Sequence, residues 1–221
     1  MITIYGRVYS RAPRVLWAAE EIGVPYEHVS VDHKTDEVLQ PEFLAMNPNG
    51  KIPVMVDGDV TLFESMAINF YLATKYGEDL LPNSAHDHAR ALQWTFWGVS
   101  EIESKIVAMF VELIRKSPAD RSQANIDAAR TELDRMLVVL EGALSDRNYF
   151  LEDRFTLADL NLASIFALYK FIGPALADLL DAYPNVRGWL DDRCLARSAY
   201  KKVMAMEPPP ADLLHLHAAA S

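Results

Sequence analysis

Ser10 lies between a short apolar, β-branched run at residues 1–5 and a helical pattern that opens at Pro13. A hydroxyl in that place has two uses. It can cap the helix, for which serine is a preferred residue. It can also donate a hydrogen bond to an anion, which a helix N-terminus favours as well. On residue type alone the cap is the plainer reading. Tyr9 and Tyr5 are rival donors, although Tyr5 falls within the strand-like run and reads as core. Glu64-Ser65 stands at a second strand-to-helix junction. There Ser65 offers a backbone N–H and a hydroxyl to a carboxylate, and Glu64 offers an anion to an ammonium. For an isolated Glu-Ser pair, an ordinary helix start is the bland alternative.

These residues need elements to hold them. After the run at 1–5, Val15, Leu16, Ala18, Ala19 and Ile22 recur at helical spacing, with Pro13 in the first turn and Gly23 at the end. Residues 26–31 read as a second strand, and 37–46 as a short helix interrupted by Pro41. Two apolar runs, 52–56 and 60–63, flank Asp57-Gly58-Asp59 and predict a β-hairpin. Residues 65–76 then form an amphipathic helix that stops at Gly77. The order β-α-β-α-β-β-α predicts one parallel pair, from a right-handed crossover, and one antiparallel pair. Beyond residue 80 nothing reads as a strand. Helical patterns cover 86–116, 124–144 and 156–172, with two shorter helices around 175–181 and 185–195. The predicted organisation is a domain over 1–79, a linker over 80–87, an all-helical domain over 88–207 and a loosely held tail over 208–221.

Composition narrows the chemistry. With Asp and Glu at 31 against Lys and Arg at 21, the formal charge is −10, which disfavours a nucleic-acid partner. No apolar run approaches the roughly 20 residues that span a bilayer. The lone Cys194 has no internal disulfide partner, which fits a reducing cytoplasmic setting, and it reads as an inert structural thiol. His86 and His88 are two apart and His215 and His217 lie in the tail, so no metal-ligand spacing exists.

The whole chain resembles the cytosolic glutathione transferases, in which a thioredoxin-like α/β domain precedes an all-α helical bundle. Four stretches carry the resemblance. Tyr5-Gly6-Arg7-Val8-Tyr9-Ser10-Arg11-Ala12-Pro13, continuing to Gly23-Val24-Pro25-Tyr26, is similar to the first strand, active-site loop and first helix. Asn47-Pro48-Asn49-Gly50-Lys51-Ile52-Pro53 resembles the loop into the third strand, and Leu62-Phe63-Glu64-Ser65-Met66 resembles the family's Glu-Ser turn. Phe155-Thr156-Leu157-Ala158-Asp159 resembles its C-domain capping motif, a structural role for Thr156 and Asp159.

The resemblance implies a glutathione transferase of the serine type, as in theta-like and bacterial branches, with Ser10 at the thiol. It implies glutathione as co-substrate, no separate cofactor and no metal. Glu64 and Ser65 would hold the γ-glutamyl end, and Ile52-Pro53 would be a cis pair whose backbone faces the peptide. The glycyl carboxylate would meet Lys51, Gln40 or His33. A small, electrophilic, mostly apolar molecule is the second substrate, in a pocket for which Tyr9, Arg11, Met109 and Tyr169 are candidates. Trp94, Trp97, Met109, Phe110, Phe166 and Tyr169 also read as ordinary core. A homodimer is expected, supported by surplus apolar residues between 94 and 110, with Glu101 or Glu103 as cross-subunit contacts. Dehalogenation, ether cleavage, isomerisation and peroxide reduction are same-fold alternatives, as is a non-enzymatic binding protein. A disulfide reductase is disfavoured, because the loop at 6–12 has serine and no cysteine.

Overall fold

The computed structural model describes residues 1–151, 153–168 and 172–208. Four strands, β1 (Ile2–Tyr5), β2 (Tyr26–Val29), β3 (Val54–Asp57) and β4 (Val60–Phe63), form one sheet in the order β2-β1-β3-β4. β1 and β2 run parallel, and β3 is antiparallel to both β1 and β4. Helix α1 (Ala12–Ile22) makes the crossover between β1 and β2, α2 (Pro41–Met46) follows a short 3-10 turn, and α3 (Ser65–Tyr76) leaves β4. α1 begins with Pro13 in its first turn and ends at Gly23 with φ 74°, and it buries Val15, Leu16, Trp17, Ala18 and Ala19 completely or nearly so. This is the expected thioredoxin-like α/β arrangement. The third strand starts at Val54 instead of Ile52, because Pro53 has no N–H to give a ladder.

Two compact units divide the described residues: 1–83 with 197–208, and those within 84–196. The first therefore includes a segment from the far end of the chain. Helix α10 (Ser198–Met204) packs on α1. Arg197 donates through Nε and Nη2 to the two carboxylate oxygens of Glu21 at 2.7 and 2.8 Å, and Lys202 reaches Glu20 at 2.7 Å. The Trp17 and Tyr200 rings lie 5.1 Å apart between these pairs. The sequence shows no sign of this return.

Every regular element of the second unit is a helix among its described residues. α4 (Ala85–Trp97) and α5 (Ser104–Phe110) are joined by a π-helical segment, Gly98–Glu103, and α5 continues into a second, Val111–Arg115. α6 (Gln123–Ala143), α7 (Leu157–Leu168), α8 (Pro174–Leu180) and α9 (Pro184–Gly188) follow. α7 is buried on every face over residues 157–167, as the centre of a bundle must be, and its polar side chains Asp159, Asn161 and Ser164 are buried with the rest. Residues 169–171, into which the sequence extends this helix, lie outside the described residues, as do residues 209–221 of the tail.

At the start of α7, Asp159 is fully buried and accepts four hydrogen bonds. Phe150 N–H and Trp189 Nε1–H reach Oδ1, and Thr156 N–H and Thr156 Oγ1–H reach Oδ2, all at 3.0 Å. The Asp side of a capping box is therefore present, while the Thr156 hydroxyl donates to the carboxylate. Burial outweighs the four donors and holds the Asp159 carboxyl above its ordinary range. Among the described residues no helix is long and apolar enough to cross a membrane, and no cluster of His, Cys, Asp and Glu could hold a metal ion.

Candidate functional site

Strand register brings the sequence-predicted residues to one end of the sheet. Tyr5 pairs with Val29 in β2 and with Val54 in β3, and Val54 pairs with Phe63 in β4. The loop after β1, the loop before β3 and the junction after β4 therefore emerge side by side. These carry Ser10, Lys51-Ile52-Pro53 and Glu64-Ser65 respectively. Neighbouring strands are about 4.8 Å apart, so the row from β1 to β4 spans roughly 10 Å, the reach of about three extended residues. Parallel β1 and β2 point their carboxyl ends here, the usual side for a ligand crevice in such sheets.

Gly6 permits the convergence. Its φ is 138°, and a Cβ there would lie 2.8 Å from Ala12 Cβ and 3.2 Å from Ile52 Cβ. The end of β1, the start of α1 and the loop before β3 can meet only because residue 6 lacks a side chain. Around and past Gly6 a series of hydrogen bonds holds the loop. Gly6 N–H and Arg7 N–H donate to Val29 O and Val31 O at 2.9 and 3.1 Å. Gly6 O lies 2.6 Å from His28 Nε2, so that nitrogen carries the proton. The Arg7 side chain is paired with Asp32. Val8 N–H donates to Glu207 Oε2 at 3.1 Å. Ser10 Oγ donates to Arg7 O at 2.7 Å and accepts from Ala12 N–H at 3.0 Å. The hydroxyl thus meets the first N–H of α1, one residue before the N-cap Arg11, and its proton, engaged on Arg7 O, can be redirected. Tyr9 beside it is part-buried, and burial, then the Glu207 charge, raises its phenol and keeps it protonated.

In the second loop, Asn47 is buried; its amide donates to Lys51 O at 2.7 Å while its own carbonyl oxygen accepts from Asn49 N–H at 3.1 Å. The Ile52-Pro53 bond is cis, as the resemblance implies. Ile52 rests on a buried cluster of Val31, Val38, Phe43 and Val54, to which Tyr5 also packs, in line with its reading as core. Lys51 is exposed. Gln40 is exposed too, and its amide donates to Asp36 O at 3.1 Å.

At the third position Glu64 has φ 70° and ψ 106°, the one non-glycine residue at positive φ among the described residues. This backbone costs on the order of 1–3 kcal/mol for a residue with a Cβ. It turns the chain sharply from β4 into α3, leaving Glu64 exposed and Ser65 buried at the head of the helix. The first N–H groups of a helix lack partners within it, so Ser65 presents them beside its hydroxyl. The strain has a measurable consequence. Glu64→Gly and Glu64→Ala both remove the carboxylate but differ in Cβ, and the glycine variant should be more stable by about 1 kcal/mol. Equal melting temperatures for the two would show that position 64 is unstrained.

Of the residues expected around a second substrate, Tyr9 and Arg11 sit on the Ser10 loop, half-buried and exposed respectively. Met109 is fully buried in the helical unit, where it serves the core. Tyr169 lies outside the described residues. Glu101 lies 3.7 Å from Lys105 of its own helix, and Glu103 is buried. Glu207 is the site-facing residue that sequence reasoning missed.

Two family models match the chain: "Glutathione S-transferase, N-terminal domain" over residues 1–74 and "Glutathione S-transferase, C-terminal domain" over residues 123–192. A probable glutathione S-transferase of Oryza sativa subsp. japonica is 36% identical, with 94% of this chain and 97% of that one covered. A glutathione S-transferase of Escherichia coli (strain K12) is 32% identical, with 92% and 98% covered. Among solved structures, glutathione S-transferase-I bound with lactoylglutathione superposes with a TM-score of 0.83 at 31% identity, covering 93% of this chain and 99% of that chain. The theta class enzyme of Xanthomonas axonopodis pv. citri with glutathione bound gives 0.81 at 31% identity, covering 94% and 98%.

Proposed function

The chain belongs to the glutathione S-transferase family, and from that premise we propose that Ser10 stabilises the glutathione thiolate while Glu64 and Ser65 hold the γ-glutamyl end. It is a glutathione transferase with glutathione as co-substrate. The observation that carries the residue roles is the shared register of Tyr5, Val54 and Phe63, which lines up three loops along about 10 Å of sheet edge. In this reading Ser10, on the loop at one end of that row, meets the cysteinyl thiol, and Ser65, at the other end, meets the γ-glutamyl head group. Between them Ile52 offers its backbone, and Lys51 or Gln40 is available to the glycyl carboxylate.

A free thiol of pKa about 8.5 is only about 3% thiolate at pH 7. To help, Ser10 must swing its proton from Arg7 O to the sulfur. It gives up a neutral hydrogen bond worth about 1 kcal/mol and gains one to a charged group worth roughly 1.5–3 kcal/mol. The difference lowers the thiol pKa by about 0.4–1.5 units. Ala12 N–H stays on Ser10 Oγ throughout and polarises the hydroxyl toward the sulfur. The thiol proton leaves to solvent. The sulfur lone pair then forms the bond to an electrophilic carbon of the mostly apolar second substrate. In a substitution the leaving group departs with its bonding pair; in an addition the displaced pair is protonated by water. Arg11 and Tyr9, next to Ser10, are the nearest candidates to touch that substrate.

We expect Ser10→Ala to raise the pKa of bound glutathione toward its free value, as followed by thiolate absorbance against pH. A pKa equal to the parent's would remove the hydroxyl from the thiol. This serine loop also supports placing the chain in the serine-type, theta-like, bacterial branch.

A homodimer completes the reading. The sequence-level surplus of apolar side chains shrinks in the structure, because Ile102, Ile106 and Met109 are core. What stays exposed on α4 and its continuation is Leu92 at 40%, Phe96 at 67% and Val99 at 41%, spaced to share one helix face. Light scattering should report twice the 24.8 kDa chain mass. An active particle of single-chain mass would overturn the dimer. A detoxifying role in the cytoplasm fits this chemistry and a chain whose one cysteine, Cys194, is buried.

A further inference from the structure

The carboxylate of Glu207 and the hydroxyl of Ser10 hold opposite ends of one peptide group. Arg7 C=O and Val8 N–H belong to the same planar amide. Its oxygen accepts from Ser10 Oγ at 2.7 Å, and its N–H donates to Glu207 Oε2 at 3.1 Å. Gly6 N–H is used on Val29 at the end of β2 and Arg7 N–H on Val31 just beyond it, so Val8 is where the loop leaves this edge and needs another acceptor. Glu207 supplies it from the far end of the chain.

Glu207 is itself well anchored. Its other oxygen accepts from Ser30 Oγ at 2.7 Å, just past β2. The helix that delivers it, α10, is tied to α1 through Arg197–Glu21 and Lys202–Glu20. His28 Nε2 lies 3.9 Å from Glu207 Oε1 while bonding Gly6 O, and the Tyr9 phenol also feels the Glu207 charge. The charged and titratable groups around the carboxylate are thus His28 and Tyr9.

We propose that Glu207 is a positioning residue for the thiol-activating hydroxyl, acting on Ser10 through the Arg7–Val8 peptide. This rests on the Ser10 reading above. Fixing the amide plane fixes the direction in which Arg7 O presents itself. Ser10 Oγ is thereby kept in one rotamer, with its Ala12 bond made and its proton one rotation from the sulfur. Without Glu207 the peptide is free to turn, and Ser10 loses its fixed starting point. Glutathione's γ-glutamyl anchor at Ser65 is at the head of α3, after a different strand, and is untouched.

The test compares Glu207→Ala, Glu207→Gln, Ser10→Ala and the double variant Ser10→Ala/Glu207→Ala in the full chain. Bound-thiol pKa, kcat and KM for glutathione are measured on each, with melting temperature alongside. Glu207→Ala should lower kcat by about 2- to 10-fold, the worth of one ordinary hydrogen bond. It should raise the bound-thiol pKa and leave KM for glutathione near the parent value. Glu207→Gln keeps an acceptor for Val8 N–H and should restore both. The double variant should be no slower than Ser10→Ala. If Ser10→Ala moves the thiol pKa and Glu207→Ala does not, the positioning role is wrong while the Ser10 role stands. If the two losses multiply in the double variant, Glu207 acts by another route. If Ser10→Ala itself leaves the pKa unmoved, both fall together.

Discussion

Asp159→Ala should lower stability by about 3 kcal/mol or more, the largest effect expected of any single change described above. The carboxylate satisfies Phe150 N–H, Thr156 N–H and Trp189 Nε1–H in a site where Phe150 and Trp189 are 1% exposed and Thr156 is wholly buried. Alanine strands all three donors, each at about 1–3 kcal/mol. Part of that is returned, because the buried carboxylate is held at a cost: its pKa is raised by burial despite its donors. For a chain of this size the melting temperature should drop by roughly 6–12 °C. The pH dependence has a definite sign. A carboxyl whose folded pKa is raised contributes most below its unfolded value, here 3.8, and loses that contribution as pH rises through the folded pKa. The gap between parent and variant is therefore widest in acid. A variant melting within 2 °C of the parent, or a gap that widens toward neutral pH, would contradict this account of the site.

Ser65→Ala should weaken glutathione binding by roughly 10- to 150-fold, the worth of about 1.5–3 kcal/mol in a hydrogen bond to a charged group. Glu64→Gln should weaken it similarly if the Glu64 anion faces the ammonium as proposed. Neither change touches the Ser10 loop, so the pKa of whatever glutathione still binds should match the parent's. Calorimetry gives the affinities and thermal melts confirm that the variants fold. Parent-like affinity in a folded Ser65→Ala protein would detach the head group from this junction.

Much of the first unit was legible because its signals are local. The β-α-β-α-β-β-α order follows from runs of four to twelve residues bounded by Pro13, Gly23, Pro41, Asp57-Gly58 and Gly77. The convergence of Ser10, Ile52-Pro53 and Glu64-Ser65 was legible through family resemblance, and the strand register then supplies its physical cause. Two things were not legible. Whether the Ser10 hydroxyl serves a helix start or faces a ligand depends on where its proton points, and residue type does not encode that; the structure shows the oxygen accepting from Ala12 N–H and the proton donated to Arg7 O. The return of α10 was hidden for a different reason. Arg197, Lys202 and Glu207 are ordinary surface residues in composition, and their partners Glu21, Glu20 and Val8 N–H lie well over 150 positions away. Pairing at such separation leaves no periodicity to find. The apolar stretch around 94–110 misled in the opposite direction. Its excess over one helical stripe suggested open surface, yet a central helix such as α7 gives it more core to fill than an amphipathic estimate allows.

The return of α10 also has a temporal side. A chain leaves the ribosome from its N-terminus, and domains tend to fold as they emerge. Here the sheet can form once Asn83 is out, but the Arg197, Lys202 and Glu207 contacts must wait for the whole helical unit to be made. At about 5–20 residues per second that wait is on the order of 10 s. During it Glu20, Glu21 and Val8 N–H stand open to water, and the loop bearing Ser10 lacks its last restraint. The nascent protein should therefore acquire its fold before its competence, with the final dozen residues of the first unit serving as the latch that ends maturation.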